Sequence, residues 1–214
     1  MLDRKTRYLQ VALNSTLDEA REIISQLPDS PRIILEAGTP LIKRYGSESI
    51  RVLASLHPYV VADLKTIDRG DTEVQMSKNA GASAAVVQGL APLETINVFI
   101  RSCAENKLDS MIDMMNVDAP IKVLRSLKKL PDVVILHRGV DEEFFNKDKP
   151  IPYLQINKIR ASYNTLIAIA GGDTIREVQR AIFNDANIVV VWKEFYKSSQ
   201  DTGRLAEEFL KVIK

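Results

Sequence analysis

Tyr59-Val-Val-Ala-Asp-Leu-Lys-Thr-Ile-Asp-Arg-Gly70 begins as a strand and ends in charge. Tyr59, Val60 and Val61 are β-formers in an apolar run. Side chains alternate across a strand, so Asp63 and Lys65 are expected on one side, with Val61 one step deeper. Asp68 lies just beyond. An anion and a cation at the mouth of a strand, with a second carboxylate close by, can hold a metal, a developing negative charge and a proton together. The plainer reading of the same residues is an ion pair capping a barrel strand.

Outward from this stretch, strand-like and helix-like segments alternate along the chain. Strands are expected at residues 8–13, 32–36, 59–64, 83–88, 110–113, 132–137, 166–170 and 187–192. Helices are expected at 17–24, from Pro40 onward, and at 71–79, 93–106, 119–129, 154–161, 174–183 and 203–213. Pro40 suits a first helical position, and Thr174 with Glu177 fits a capping box. Eight strand–helix pairs in 214 residues predict an α/β fold, a single (β/α)8 TIM barrel over residues 1–214. A doubly wound open sheet is the alternative. The even spacing and the lack of a Gly-x-Gly-x-x-Gly turn after the first strand weigh against it. Residues 139–152, rich in Asp, Glu, Lys and Pro, are the long irregular segment, either a surface loop or a partial lid.

Composition narrows the class of partner. The chain is 45% hydrophobic and 27% charged, ordinary values for a globular protein. Its formal net charge is +1 and it has no basic tract, so nucleic acid is not an implied partner. No apolar run approaches the roughly 18 residues of a membrane span, and the charged start (Asp3, Arg4, Lys5, Arg7) does not lead into a signal peptide. The lone Cys103 sits in an apolar helical pattern and reads as a core residue of a reducing, cytoplasmic compartment.

In a barrel of this kind the active site lies at the C-terminal ends of the strands. Asn14 follows the first strand, in phase with Gln10 and Ala12. Glu36 ends the second, Asp63 and Lys65 the third, Gln88 the fourth, Asp113 the fifth and His137 the sixth. Any one of them alone would be a satisfied boundary residue. Three carboxylates, a lysine and a histidine, with Gln88 between them, at one end of five neighbouring strands point to a shared site. Glu36 and Asp63 are oxygen donors for a hard cation such as Mg²⁺, leaving positions open for substrate oxygens. Lys65 supplies fixed positive charge where an oxyanion develops, and His137 can move a proton near neutral pH. That set suits formation and quenching of an enediolate. Ala170-Gly-Gly-Asp-Thr174 joins the seventh strand to a helix, and Gly171 and Gly172 let backbone N–H groups approach an anion. Lys193, past the eighth strand, is a countercharge for it. A tight strand-to-helix turn is the alternative for these glycines. Trp192 either closes the barrel or walls the pocket, and His57 falls at the opposite end.

These residues resemble the orotidine 5′-monophosphate decarboxylase suprafamily and, within it, the 3-hexulose-6-phosphate synthases, especially the synthase domain that archaea fuse to a formaldehyde-activating enzyme. The resemblance is carried by Glu36-Ala-Gly-Thr-Pro-Leu-Ile-Lys43, Val61-Ala-Asp-Leu-Lys-Thr-Ile-Asp68, Met111-Ile-Asp113, His137-Arg-Gly-Val-Asp141 and Ala170-Gly-Gly172. It implies an aldehyde-lyase that interconverts D-arabino-3-hexulose 6-phosphate with D-ribulose 5-phosphate and formaldehyde. It implies Mg²⁺ (or Mn²⁺) on Glu36 and Asp63, and catalytic work for Lys65, His137, Asp68 and Asp113. Asn14, Gln88, Arg138, Gly171, Gly172 and Lys193 would bind substrate or its phosphate. It also implies a homodimer in which Asp68 reaches the neighbouring subunit's site. Two positions depart from the family's usual pattern: Asn14 stands where Asp is common, and Trp192-Lys193 where Gly-Arg or Gly-Gly is common. The rival enzyme is 3-keto-L-gulonate 6-phosphate decarboxylase. Orotidylate decarboxylase resembles the chain at Asp63, Lys65 and Asp68 but carries lysine in place of Glu36. A catalytically silent phosphosugar-binding barrel would be expected to have lost the charged residues that are present here.

Overall fold

Eight parallel strands close on themselves in sequence order, β1 pairing with both β2 and β8. The structure, a computed structural model, describes residues 1–146, 148–197 and 201–214. The strands are β1 Tyr8–Leu13, β2 Ile33–Ala37, β3 Val60–Thr66, β4 Ala84–Gln88, β5 Asp109–Asp113, β6 Val133–His137, β7 Leu166–Ala170 and β8 Ile188–Val191. The helices are α1 Leu17–Gln26, α2 Thr39–Tyr45, α3 Ser47–Leu56, α4 Gly70–Asn79, α5 Leu93–Glu105, α6 Pro120–Ser126, α7 Val140–Phe145, α8 Tyr153–Arg160, α9 Ile175–Phe183, α10 Lys193–Lys197 and α11 Thr202–Val212. This is the (β/α)8 barrel that the alternation predicts, and the open-sheet alternative is excluded by the β1–β8 pairing.

The strands are buried on both faces, which is why they read as continuous apolar runs. One phase of side chains fills the barrel: Ala12, Ile34, Val61, Val86, Met111 and Ile135 are among them. The other phase packs outward against the helices, with Leu9, Leu35 and Val134 in one cluster with Phe99 of α5, Ile156 of α8 and Phe209 of α11. Cys103 is buried in that layer. Truncating a fully buried leucine or isoleucine of either layer to alanine would cost about 2–5 kcal/mol.

Four expectations need correction. The helix opened by Pro40 is two helices, broken at Gly46, whose φ of +61° few L-residues adopt. The helix expected over 119–129 stops at Ser126, because Leu127 turns extended and Pro131 disfavours helical backbone at the residue before it. Residues 139–152 are not wholly irregular, since α7 occupies Val140–Phe145. Three acids in its first turn, Asp141, Glu142 and Glu143, suit a helix N-terminus and were the signal for it. Past β8 the chain enters α10 at once, so Lys193 opens a short helix.

Strand β3 carries an irregularity of its own. Between Ala62 and Thr66 β3 advances four residues while β4 advances two, from Ala85 to Val87. Lys65 takes a left-handed φ of +48° inside this bulge. A non-glycine residue held there stores strain, of the kind that collects at functional sites. Two extra residues keep the pleat in phase, so Asp63 still points inward and Thr66 outward.

Candidate active site

At the C-terminal mouth of the barrel lies a cavity of about 250 Å³. Glu36, Asp63, Lys65, Asp113 and His137 all line it, each delivered by the end of a different strand except Asp63 and Lys65, which share β3. Asn14, Arg138, Gly171 and Lys193 line it too, with Trp192 as part of the wall.

Asp113 is the hub. Its Oδ2 accepts from Lys65 Nζ at 2.9 Å and lies 2.8 Å from His137 Nδ1. Its Oδ1 accepts the Met115 backbone N–H at 2.8 Å. Burial alone would push this carboxyl up, but the charges and hydrogen bonds of His137 and Lys65 win and hold it far below the ordinary range. Burial would likewise discharge Lys65 and His137. The Asp63 and Asp113 carboxylates outweigh it at Lys65, and Asp113 does so at His137, so both groups bind their protons more tightly than usual. With Nδ1 committed to Asp113, the imidazole has Nε2 left for chemistry.

Asp63 is held from two sides. Lys65 Nζ donates to its Oδ2 at 2.8 Å, and Thr39 Oγ1 stands 2.9 Å from the same oxygen and 2.8 Å from the Asp63 carbonyl oxygen. Its Oδ1 is buried and has no hydrogen-bond partner among the described residues. Glu36 accepts from Gln10 Nε2, and burial followed by the nearby Asp63 charge pushes its carboxyl up to about 7. Among the described residues no cluster of three or more His, Cys, Asp or Glu is arranged for a metal. The pair Glu36 and Asp63 nonetheless fits a hard cation that keeps water or substrate oxygens in its remaining positions. The orphaned Asp63 Oδ1 and the mutual repulsion of the two carboxyls are both what such a cation would relieve.

The opposite wall carries two cations, Arg138 and Lys193, both already engaged. Gly171 has a φ of +89°, and a Cβ there would collide with the Arg138 backbone oxygen. Arg138 Nη2 donates to the Gly171 carbonyl at 2.7 Å. Lys193 Nζ pairs with Glu143 of α7.

Three expected residues stand elsewhere. Gln88 ends β4 buried, with Oε1 unpartnered among the described residues, and does not line the cavity. Gly172 packs behind the wall, where a Cβ would meet Ile151 and Glu177. Asp68 is exposed past the bulge and outside its own chain's cavity. His57 lies at the other end of the barrel against the Tyr59 backbone, where it accepts that N–H at 3.2 Å. Gln10, Thr39, Glu143 and Asp173 join the site without having been singled out. Gln10 was legible as a polar residue within an apolar strand, in phase with Asn14. Nothing local marked the others.

The fold and the site together define a (β/α)8-barrel protein with an acid–base network and a carboxylate pair at the C-terminal mouth. The chain belongs to the orotidine 5′-phosphate decarboxylase / HUMPS family, whose model matches residues 7–207. It is 40% identical over 213 residues to a "Bifunctional enzyme Fae/Hps" of Archaeoglobus fulgidus, covering 97% of this chain and 53% of the relative. A protein of the same description from Methanocaldococcus jannaschii is 41% identical over 205 residues, 95% of this chain and 51% of the relative. The chain thus spans about half the length of the curated relatives it matches. A solved 3-hexulose-6-phosphate synthase from Salmonella typhimurium superposes with a TM-score of 0.87 at 28% identity, covering 96% of this chain and 98% of that one. A 3-keto-L-gulonate-6-phosphate decarboxylase from Vibrio cholerae superposes with a TM-score of 0.80 at 20% identity, a likeness of fold alone.

Proposed function

We propose that the chain is an aldehyde-lyase interconverting D-arabino-3-hexulose 6-phosphate with D-ribulose 5-phosphate and formaldehyde. The observation that carries this is the Lys65–Asp113–His137 network set opposite Glu36 and Asp63 in one cavity. The relatives named as hexulose-phosphate synthases give the reading its substrate.

In the cleavage direction the C1–C2 bond breaks and its electron pair stays with C2. The neutral His137 imidazole takes the C1 hydroxyl proton at Nε2, C1 leaves as formaldehyde, and an enediolate spreads over the former C2 and C3. The Lys65 ammonium, kept charged by Asp63 and Asp113, faces the oxyanion as it grows. His137 Nε2 then delivers a proton to the carbon that becomes C1 of the pentulose. In synthesis the neutral imidazole removes that proton. Asp113 positions both groups and holds the imidazole's orientation. Mg²⁺ or Mn²⁺ on Glu36 and Asp63 would supply Lewis acidity to the adjacent sugar oxygens. Arg138, Lys193 and the glycine turn at Gly171 would take the phosphate.

The same reading includes a homodimer. Asp68 is exposed beside Ile67, which is 54% exposed, and near the mouth rather than in it. From there it would complete the neighbouring subunit's site. Residues 1–214 would form one domain, working in the cytoplasm. Among the described residues no helix is long and apolar enough to cross a membrane.

One assay tests the function: formaldehyde released from hexulose 6-phosphate with and without Mg²⁺, beside CO₂ released from 3-keto-L-gulonate 6-phosphate. Formaldehyde release that depends on the cation is expected. CO₂ release without formaldehyde would replace this reading with the decarboxylase, and neither product would leave a phosphosugar-binding barrel.

A further inference from the structure

The anion-binding end of the cavity already holds anions, and they belong to the chain itself. Asp173 Oδ1 accepts the backbone N–H groups of Trp192 at 2.7 Å and Lys193 at 3.1 Å. Its Oδ2 lies 3.9 Å from Lys193 Nζ. Arg138 Nη2 lies 3.5 Å from Glu177 and 3.9 Å from Glu143. Lys193 Nζ donates to Glu143. Three carboxylates therefore face two cations, and an incoming dianion would meet a net negative wall.

The three acids are not held alike. Asp173 is fixed by two backbone donors. Glu177 caps α9, its Oε2 accepting from the Thr174 N–H at 3.1 Å and from Thr174 Oγ1 at 2.9 Å. Among the described residues the Glu143 carboxylate touches only Lys193 and Arg138. It rides on α7, a six-residue helix with no buried residue, bearing Phe144 and Phe145 at 72% and 82% exposure and held at its start by the Gly139 N–H, which donates to Glu142 Oε2 at 2.9 Å. Its other side-chain ties among the described residues are the contacts of Glu142 with Gly139 and Lys149, and a segment that buries no side chain costs little to displace.

We propose that Glu143 is a resident stand-in for the substrate's phosphate. Entry of the phosphate exchanges one anion for another on Lys193 and Arg138 and moves α7 off the mouth. Glu143 thereby sets both the affinity of the site and its selectivity for a dianion, since a monoanion or neutral ligand gains too little from the two cations to displace it. The inference rests on the phosphosugar reading of the site and adds a specificity-determining residue to it.

Trp192 is the chain's one tryptophan, and the Lys193 ammonium lies 5.8 Å from its ring centroid. Its fluorescence therefore reports a change of partner at Lys193. Wild type and Glu143→Gln are titrated with inorganic phosphate at constant ionic strength, and again with uncharged D-ribulose. Glu143 is one-third exposed, so the isosteric glutamine keeps the fold, and Glu143→Ala is titrated beside it. Both variants should bind phosphate at least about tenfold more tightly than wild type, with no gain for D-ribulose. Equal phosphate affinity in all three proteins overturns the role of Glu143 and leaves the phosphosugar reading standing. An equal gain for D-ribulose overturns it too, because the mouth then opens without charge exchange. If phosphate produces no response in any variant and does not compete with D-ribulose 5-phosphate, the anion end and the phosphosugar reading fall together with this proposal.

Discussion

Lys65 and Asp113 are 48 positions apart in the chain, and their ammonium and carboxylate meet at 2.9 Å in the barrel mouth. The left-handed backbone at Lys65 aims the ammonium across the mouth, and the second acceptor, Asp63, keeps it from swinging away. A cation braced between two carboxylates is preorganised for charge that develops between them and the substrate.

Replacing Lys65 by alanine should therefore lower kcat far more than it raises KM, by about 10²–10³-fold, because the contact strengthens in the transition state. Steady-state kinetics on hexulose 6-phosphate decide it. A kcat within about threefold of wild type would reduce Lys65 to a structural ion-pair partner.

His137→Asn should stop solvent-deuterium exchange at C1 of ribulose 5-phosphate while cation binding persists. It should also change the pH dependence of stability. Burial lowers the imidazole's affinity for its proton, and Asp113 more than restores it, so the folded value is raised. The stabilisation is fully present below the unfolded value of about 6.5 and fades as pH rises through the folded value. The melting temperature of wild type minus that of His137→Asn should shrink steadily above about pH 6.5. A constant difference across that range would mean that His137 is not charged when folded.

Glu36 behaves in the opposite sense. Its carboxyl is pushed up to about 7 by burial and then by Asp63, so between the unfolded value of about 4.3 and that point the folded chain binds the extra proton. Stability falls as pH rises through this window. In EDTA at about pH 8, Glu36→Gln should melt several degrees above wild type, while Mg²⁺ should raise the melting temperature of wild type and not of the variant. A Mg²⁺ shift that survives in Glu36→Gln would remove Glu36 from the cation site.

On the proposed homodimer, Asp68→Ala and Lys65→Ala proteins should each be nearly inactive, and subunit exchange between them should restore activity. In a mixed dimer one site would combine an intact Lys65 with an intact Asp68 from its neighbour, while the other would carry both defects. Random pairing makes about half the dimers mixed, so recovery should approach about one quarter of wild type. No recovery, with exchange confirmed by mass spectrometry, would place Asp68 outside the neighbouring site.

Much of this architecture was legible residue by residue. The run 166–170 read as a buried strand and is one, and Thr174 with Glu177 marked the start of α9 through a capping box that the structure contains. Polar residues at strand ends, such as Glu36 and His137, announced a mouth through their number at one end of the barrel, since any one of them alone reads equally well as a satisfied boundary residue. Gln88 obeyed the same pattern and does not line the cavity, since being inward in phase does not settle what stands above a side chain.

What the sequence by itself determined was periodicity: strand phase, helix starts, and therefore which residues share the C-terminal end of the barrel. Local sterics and the burial of apolar faces dictate these, and both act between near neighbours in the chain. Only the tertiary structure decided the charges. The raised Glu36 and His137, the depressed Asp113 and the capture of Lys193 by Glu143 arise from groups tens of residues apart brought within a few ångströms in a poorly solvated mouth. Coulomb energies there depend on distance and burial, and barrel closure sets both.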